Sequence, residues 1–313
     1  MGEKTTPWTA ADIPNLRGRT AIVTGASAGL GLETARMLAQ RGARVVLACR
    51  NIQKAAAAAE FIRQTAPEAE LPIVPLDLAS LAAVRTAADK VRAEYDRIDL
   101  LINNAGTINQ RRTVTEDGFE STIATNHLGP FAFTGLLLDL LLAAPQARVV
   151  TVSSGGSEDL KPTLDLGDLN YEGRKYQPLK VYGASKLANL LFTFELQRRL
   201  NGTDAELASL ASHPGVARSD FADNMGPAIR FLHRPSMRWM TDWLLQSTEM
   251  GALPTLRAAV DPKARGGEFY GPSGKFRGHP ELNRAGDAAH DPDSAARLWT
   301  ESERLTGVSY RID

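Results

Sequence analysis

Thr24-Gly25-Ala26-Ser27-Ala28-Gly29-Leu30-Gly31 joins a short β-rich run, Thr20 to Thr24, to a segment of helical periodicity, Leu30 to Arg41. Glycine lets a backbone turn sharply and lets another group approach it closely. A helix that opens at such a turn aims its unpaired N–H groups, and the positive end of its dipole, beyond the strand end. Together these features make a receptor for a pyrophosphate. A second apolar run, Arg44 to Cys49, completes a βαβ unit, so the turn predicts dinucleotide binding rather than a plain tight connection.

The same rhythm continues outward. Runs at Leu71–Leu76, Leu100–Asn103, Arg148–Val152, Ala205–Ala211 and Gly267–Tyr270 predict further strands. Segments at Ile52–Thr65, Leu81–Tyr95, Gly118–Ala143 and Leu179–Leu200 predict helices between them. Continuous apolar strands alternating with helices imply a parallel sheet covered on both faces. The expected fold is therefore α/β: a doubly wound, mostly parallel, seven-stranded sheet in a single domain spanning residues 1–313. Residues 15–155 form mainly the dinucleotide-binding half. Residues 156–313 carry the remaining chemistry, a lid and a C-terminal extension. Two stretches break the rhythm: a polar, loop-like one from Gly155 to Pro178, and Val216–Gln246, rich in apolar side chains such as Phe221, Met225, Phe231, Trp239 and Trp243.

The second strand ends in Cys49-Arg50-Asn51. An acidic residue there would hold a ribose 2′-hydroxyl. Arg50 instead offers a planar, permanently charged fork suited to a 2′-phosphate, and Ser27 could add a hydroxyl donor. Asp77, after the third strand, is placed to receive an adenine amino group. The expected cofactor is NADP(H).

Tyr182 precedes Lys186 by one helical turn, so both side chains share a face. Two unit charges about 5 Å apart at an effective dielectric of about 20 interact by roughly 3 kcal/mol. That is about two pKa units, enough to bring a phenol towards the operating pH of an enzyme.

Six segments in order along the chain resemble the short-chain dehydrogenase/reductase family: Thr24–Gly31, Asn103-Asn104-Ala105-Gly106, Thr125-Asn126-His127-Leu128-Gly129, Val152-Ser153-Ser154, Tyr182–Lys186 and His213-Pro214-Gly215-Val216. The resemblance implies a Rossmann fold and hydride transfer between nicotinamide C4 and a carbonyl or alcohol. It makes Tyr182 the general acid and base. Lys186 lowers its pKa and binds the nicotinamide ribose, Ser154 holds the substrate oxygen, and Asn126 binds a water in a proton path. Ser153 and Ser154 point to opposite faces, and family position selects Ser154. The implied cofactor contacts are Gly25, Ser27, Gly29, Leu30, Gly31, Arg50, Asn51, Asp77, Leu78, Asn104, Ala105, Gly106, Tyr182, Lys186, Pro214, Gly215, Val216 and Ser219. Tyr182 follows Ser154 by 28 residues, a long gap for the family. That gap, with Leu47–Asn51 and Ser185–Phe192, resembles the branch of retinol dehydrogenases and protochlorophyllide reductases, which implies NADPH and a lipophilic small-molecule substrate. The helices at Gly118–Ala143 and Leu179–Leu200 correspond to those through which family members pair, leaving monomer and homodimer both open.

Composition limits the partners. Lys+Arg and Asp+Glu are balanced at 36 each, which gives no electrostatic case for nucleic acid or an anionic membrane. One cysteine, Cys49, rules out an internal disulfide and a cysteine-based zinc cluster. The histidines show no ligand spacing, so no metal is expected. No apolar stretch is long enough to span a bilayer, and the expected location is cytoplasmic. Two other functions fit the same residues: reduction of an activated C=C or C=N bond, and a non-catalytic NADP(H) sensor.

Overall fold

Valine, isoleucine and leucine fill the strands and divide them between two faces with a period of two. The computed structural model describes residues 6–154, 163–216, 246–274 and 276–312. Its strands are β1 (Thr20–Thr24), β2 (Arg44–Cys49), β3 (Ile73–Pro75), β4 (Leu100–Asn103), β5 (Arg148–Val152), β6 (Ala208–Ser212), β7 (Phe269–Pro272) and β8 (Pro280–Asn283). The principal helices are α1 (Gly29–Gln40), α2 (Ile52–Arg63), α3 (Leu81–Glu94), α4 (Ser121–Ile123), α5 (Gly129–Leu136), α6 (Leu138–Leu142), α7 (Pro178–Leu200), α8 (Thr248–Val260) and α9 (Pro292–Thr306).

The strands form one sheet in the order β3-β2-β1-β4-β5-β6-β7-β8. Every pair from β3 to β7 is parallel, and β8 joins β7 antiparallel. Ala21, Val23, Val45, Leu47, Leu100 and Ile102 pack on one face with side chains of α1, α2 and α8. Their neighbours Ile22, Val46, Ala48 and Leu101 pack on the other with α3, α5, α6, α7 and α9. At roughly 1.5–3 kcal/mol per fully buried aliphatic side chain, two covered faces give every strand position a stabilising role. This is why the strands read as unbroken apolar runs.

The structure corrects the sequence reading in three places. The sheet has eight strands rather than seven: Pro280–Asn283 pairs with β7 from Phe269↔Asn283 to Pro272↔Pro280. Proline is tolerated there because it opens an edge strand. The third strand shrinks from Leu71–Leu76 to Ile73–Pro75, bounded by Pro72 and ended by Pro75, neither of which has an N–H to donate. The long helix expected over Gly118–Ala143 is segmented. Glu120 caps its start by accepting from Thr122 N at 2.9 Å and Ile123 N at 2.8 Å. Residues Ala124–Leu128 then form a π-helical turn, with Gly129 N–H bonded to Ala124 O, and Leu137 interrupts the ladder before α6.

The described part of the segment before α7 is fastened to the loop before α4. Arg112 Nε donates to Asn170 O at 2.7 Å and its guanidinium pairs with Glu172 at 3.1 Å. Asn170 Oδ1 accepts from Glu120 N at 3.0 Å, and Tyr176 Oη donates to Glu120 Oε1 at 3.1 Å. At the other end of the chain, α9 lies over α5 and α7. Trp299 meets the rings of Phe131, Phe192 and Tyr310 at centroid distances of 5.3, 5.9 and 4.5 Å.

Candidate active site

Parallel pairing sends the carboxyl ends of β1, β2, β4, β5 and β6 to one edge of the sheet. The order in which strands are added reverses between β1 and β4, which opens a crevice at that edge. A cleft of about 820 Å³ lies there. Its lining includes Gly25, Ser27, Gly29, Leu30, Gly31, Arg50, Asn51, Asp77, Leu78, Asn104, Ala105, Gly106, Ser154, Tyr182, Lys186, Pro214, Gly215 and Val216. Two predicted residues stand apart from that lining, one by its place and one because it is not described. Asn126 lies behind Gly106, and Ser219 falls, with the apolar stretch at 217–245, outside the described residues.

Local chemistry explains the glycine turn. Gly25 and Gly29 have φ of 68° and 55°, the left-handed region that glycine alone enters at no steric cost. A Cβ on Gly31 would collide with Gly25 O and stand 2.5 Å from Asn104 Nδ2, so a side chain there would push α1 off the sheet. Helices α2, α3 and α8 are capped by the side chains of Asn51, Ser80 and Ser247. Helix α1 starts at Ala28 with no side-chain cap, leaving its first-turn N–H groups facing the cleft. Thr24 ties this turn to the next strand. Its Oγ1 accepts from Asn104 N and Ala105 N, both at 3.0 Å, and its carbonyl accepts from Asn104 Nδ2 at 2.8 Å. Asn103 points the other way and donates to Thr134 Oγ1 at 3.0 Å.

Beyond β2, Arg50 stands exposed on the cleft rim. Asn51 is occupied in part by the helix it caps, accepting from Lys54 N at 2.8 Å. Asp77 Oδ1 accepts from Ala79 N at 3.0 Å, the turn-forming alternative to a ligand contact. Ser27 bonds to the Cys49 thiol, which burial pushes above its usual range. Gly129 has a role beside Leu78: a Cβ there would strike Leu78 O, so glycine lets α5 pass close behind the loop.

At the other end of the cleft, β5 delivers its two serines to opposite sides. Ser153 is buried and its Oγ donates to Lys186 O at 2.8 Å, holding α7 to the sheet. Ser154 faces the cleft and its hydroxyl bonds to the Tyr182 side chain. Lys186 is buried, and its Nζ donates to Val152 O at 2.9 Å. The side chain of Asn126 is engaged within the protein: Oδ1 accepts from Thr107 N at 2.7 Å, and Nδ2 donates to Thr107 O and Ser185 Oγ, both at 2.9 Å. Asn126 thus joins the cleft floor to α7, from a π-helical turn of the kind that recurs at functional sites.

The electrostatics overturn one expectation. The Tyr182 phenol lies above its usual range, not below it. Burial pushes Tyr182 up to about 12, opposed only in part by the bond from Ser154. Burial also pushes Lys186 down to about 8. The ammonium lies 5.6 Å from the centre of the tyrosine ring, and its hydrogen bond goes to a main-chain carbonyl. Desolvation therefore outweighs the attraction that helical spacing alone suggested.

The cleft also contains residues that the sequence reading passed over. Lys54, in the first turn of α2 and four residues after Arg50, lines it, as do Thr107 and Thr125. The four-residue spacing of Arg50 and Lys54 was visible in the sequence; the placement of the threonines depends on tertiary contacts. Removing the buried bond of Ser153 in Ser153→Ala is expected to cost about 1 kcal/mol, while Ser154→Ala stays within about 0.5 kcal/mol of the parent. Denaturant unfolding reads both, and the reverse order would show that Ser154, not Ser153, fastens α7 to β5.

Comparison with known proteins agrees with this geometry. The family profile for short chain dehydrogenase matches residues 19–164. Human "Retinol dehydrogenase 13" is 40% identical over 296 residues, covering 93% of this chain and 85% of that protein. Mouse "Retinol dehydrogenase 14" is 36% identical over 308 residues, covering 94% and 87%. The crystal structure of an uncharacterized protein from Mycobacterium paratuberculosis superimposes with a TM-score of 0.80 at 41% identity, over 98% of this chain and 100% of that one. A Pseudomonas aeruginosa RhlG/NADP active-site complex shares the fold, with a TM-score of 0.64 at 24% identity over 84% and 97%. The chain belongs to the short-chain dehydrogenase/reductase family of oxidoreductases, in its retinol dehydrogenase-like branch.

Proposed function

We propose that this protein is an NADP(H)-dependent oxidoreductase that interconverts a carbonyl and an alcohol on a lipophilic small molecule. The observation that carries the reading is the presence of Ser154, Tyr182 and Lys186 in the same cleft as the glycine turn. When bound, the nicotinamide supplies or takes up the hydride. The chain supplies the rest. The uncapped start of α1 and the glycines at 25, 29 and 31 suit a pyrophosphate. Arg50 and Lys54 offer two cations to a 2′-phosphate on the rim. From the end of β2 to the end of β6 the cleft crosses four strand spacings, about 19 Å, room for an extended dinucleotide.

On the substrate side, Ser154 holds the carbonyl oxygen and Tyr182 donates its proton to it. A phenol pushed up to about 12 stays protonated at neutral pH and needs stabilisation as it loses its proton. Lys186, one turn away, supplies the positive charge for the phenolate. In the oxidative direction the same tyrosine receives the proton. Asn126 holds Thr107 and Ser185 in place, and the water in its proton path follows the family resemblance. A lipophilic substrate is favoured by the relatives' names, and by the apolar content of residues 217–245. The covering of α5 and α7 by α9 supports a monomer, and the continuous sheet supports a single domain. Among the described residues no helix is long and apolar enough to cross a membrane.

Tyr182→Phe should lower turnover of any accepted carbonyl by at least about a hundredfold, the usual contribution of a general acid, with NADPH affinity nearly unchanged. Retained turnover removes Tyr182 from the role. Arg50→Asp should weaken NADPH by about tenfold to a hundredfold, the worth of a charge-assisted bond, and move the kcat/KM ratio towards NADH. Adding Lys54→Ala should move it further. An unchanged ratio would place the 2′-phosphate elsewhere.

A further inference from the structure

The wall formed by Pro214, Gly215 and Val216 is fastened by residues far along the chain. His213 is buried at the end of β6, its ring 5.1 Å from that of Phe269 in β7. Its Nδ1 accepts from Gly215 N–H at 3.2 Å. A neutral imidazole with an accepting Nδ1 carries its hydrogen on Nε2. Burial keeps the ring neutral, lowering its pKa to about 4. Nε2 lies 2.9 Å from Asn283 Nδ2; with the hydrogen on Nε2, the amide accepts it by turning its oxygen to the ring. Gly271 in β7 leaves room for this contact, since a Cβ there would strike His213 Nε2.

A second clamp works from Gln246, itself buried. Its side-chain Nε2 donates to Pro214 O, and its Oε1 accepts from Gly278 N at 3.2 Å. Its main-chain N–H donates to Val216 O at 3.1 Å, and Val216 N–H donates to Phe276 O at 2.8 Å. Gly215 sits at φ 63°, where a side chain would strike Phe276 O. Among the described residues, the fastenings come from His213, from the β7–β8 hairpin and from Gln246.

We propose that Asn283, acting through His213, and Gln246 are positioning residues that hold the Pro214–Val216 wall against the nicotinamide half of the cofactor, making the C-terminal hairpin part of the cofactor site. The inference rests on the cofactor reading above, with Arg50 at the 2′-phosphate; the wall, which shares the opposite end of the cleft with Tyr182 and Lys186, then faces the nicotinamide. A loosened wall should therefore weaken one half of the ligand and spare the other.

The test is calorimetric titration of the full chain with NADPH and with 2′,5′-ADP, which lacks the nicotinamide. Asn283→Leu should raise the NADPH Kd by about tenfold, the loss of about one hydrogen bond, and leave that of 2′,5′-ADP within about twofold. Asn283→Asp, which keeps an oxygen towards Nε2, should bind both ligands much as the parent does. Should Asn283→Leu not fold, Gln246→Leu carries the same comparison. An unchanged NADPH Kd, or parallel loss of both ligands in a folded variant, overturns the proposal. A parent protein that binds neither ligand overturns the cofactor reading itself, and the inference with it.

Discussion

Parallel pairing of β1 with β2 on one side and β4 on the other is the constraint on which this molecule depends. It forces the connections after β1 and β4 apart and leaves a crevice between them. It also brings five strand ends, otherwise scattered over nearly 200 residues, to one edge. The glycine turn, Arg50, the asparagine loop, the two serines and the Pro214–Val216 wall become neighbours for that reason. Thr24 shows the economy of the arrangement. One threonine at the end of β1 accepts from the loop after β4 at three points, so the glycine turn and the cleft floor hold each other in place.

Burial sets the chemistry within that frame. The same desolvation that makes the strands apolar raises Tyr182 and lowers Lys186. The phenol keeps its proton and the ammonium is less firmly charged than on a surface. The Tyr182 hydroxyl bonds to Ser154 and the Lys186 ammonium to Val152 O. Ser153, adjacent in sequence, serves the scaffold instead, because successive residues on a strand face opposite sides.

What was legible in the sequence follows from these forces. The parallel strands were readable because both faces are buried, so each strand is an apolar run. The glycine turn and the Tyr182–Lys186 pair were readable because local geometry demands those residue types at those spacings. β8 was not: Pro280–Asn283 carries no apolar alternation and owes its conformation to the free edge of β7. The interruptions between Ser121 and Leu142 were hidden because residues there are apolar on nearly all sides, and periodicity cannot separate an α-turn from a π-turn. The direction of the pKa shifts was hidden because spacing reveals a neighbour but not the loss of water. His213 and Asn283 lie 70 residues apart, a pairing visible only after the sheet is built.

In the proposed reaction, hydride passes to a carbonyl carbon while the chain manages the proton at its oxygen. Incubation with a long-chain aldehyde and NADPH deuterated at C4 tests it most directly, with mass spectrometry of the product. The account predicts a primary alcohol carrying deuterium on the former carbonyl carbon when one C4 face is labelled and none when the other is. Consumption of NADPH without deuterated alcohol, or label appearing equally from both faces, would contradict it.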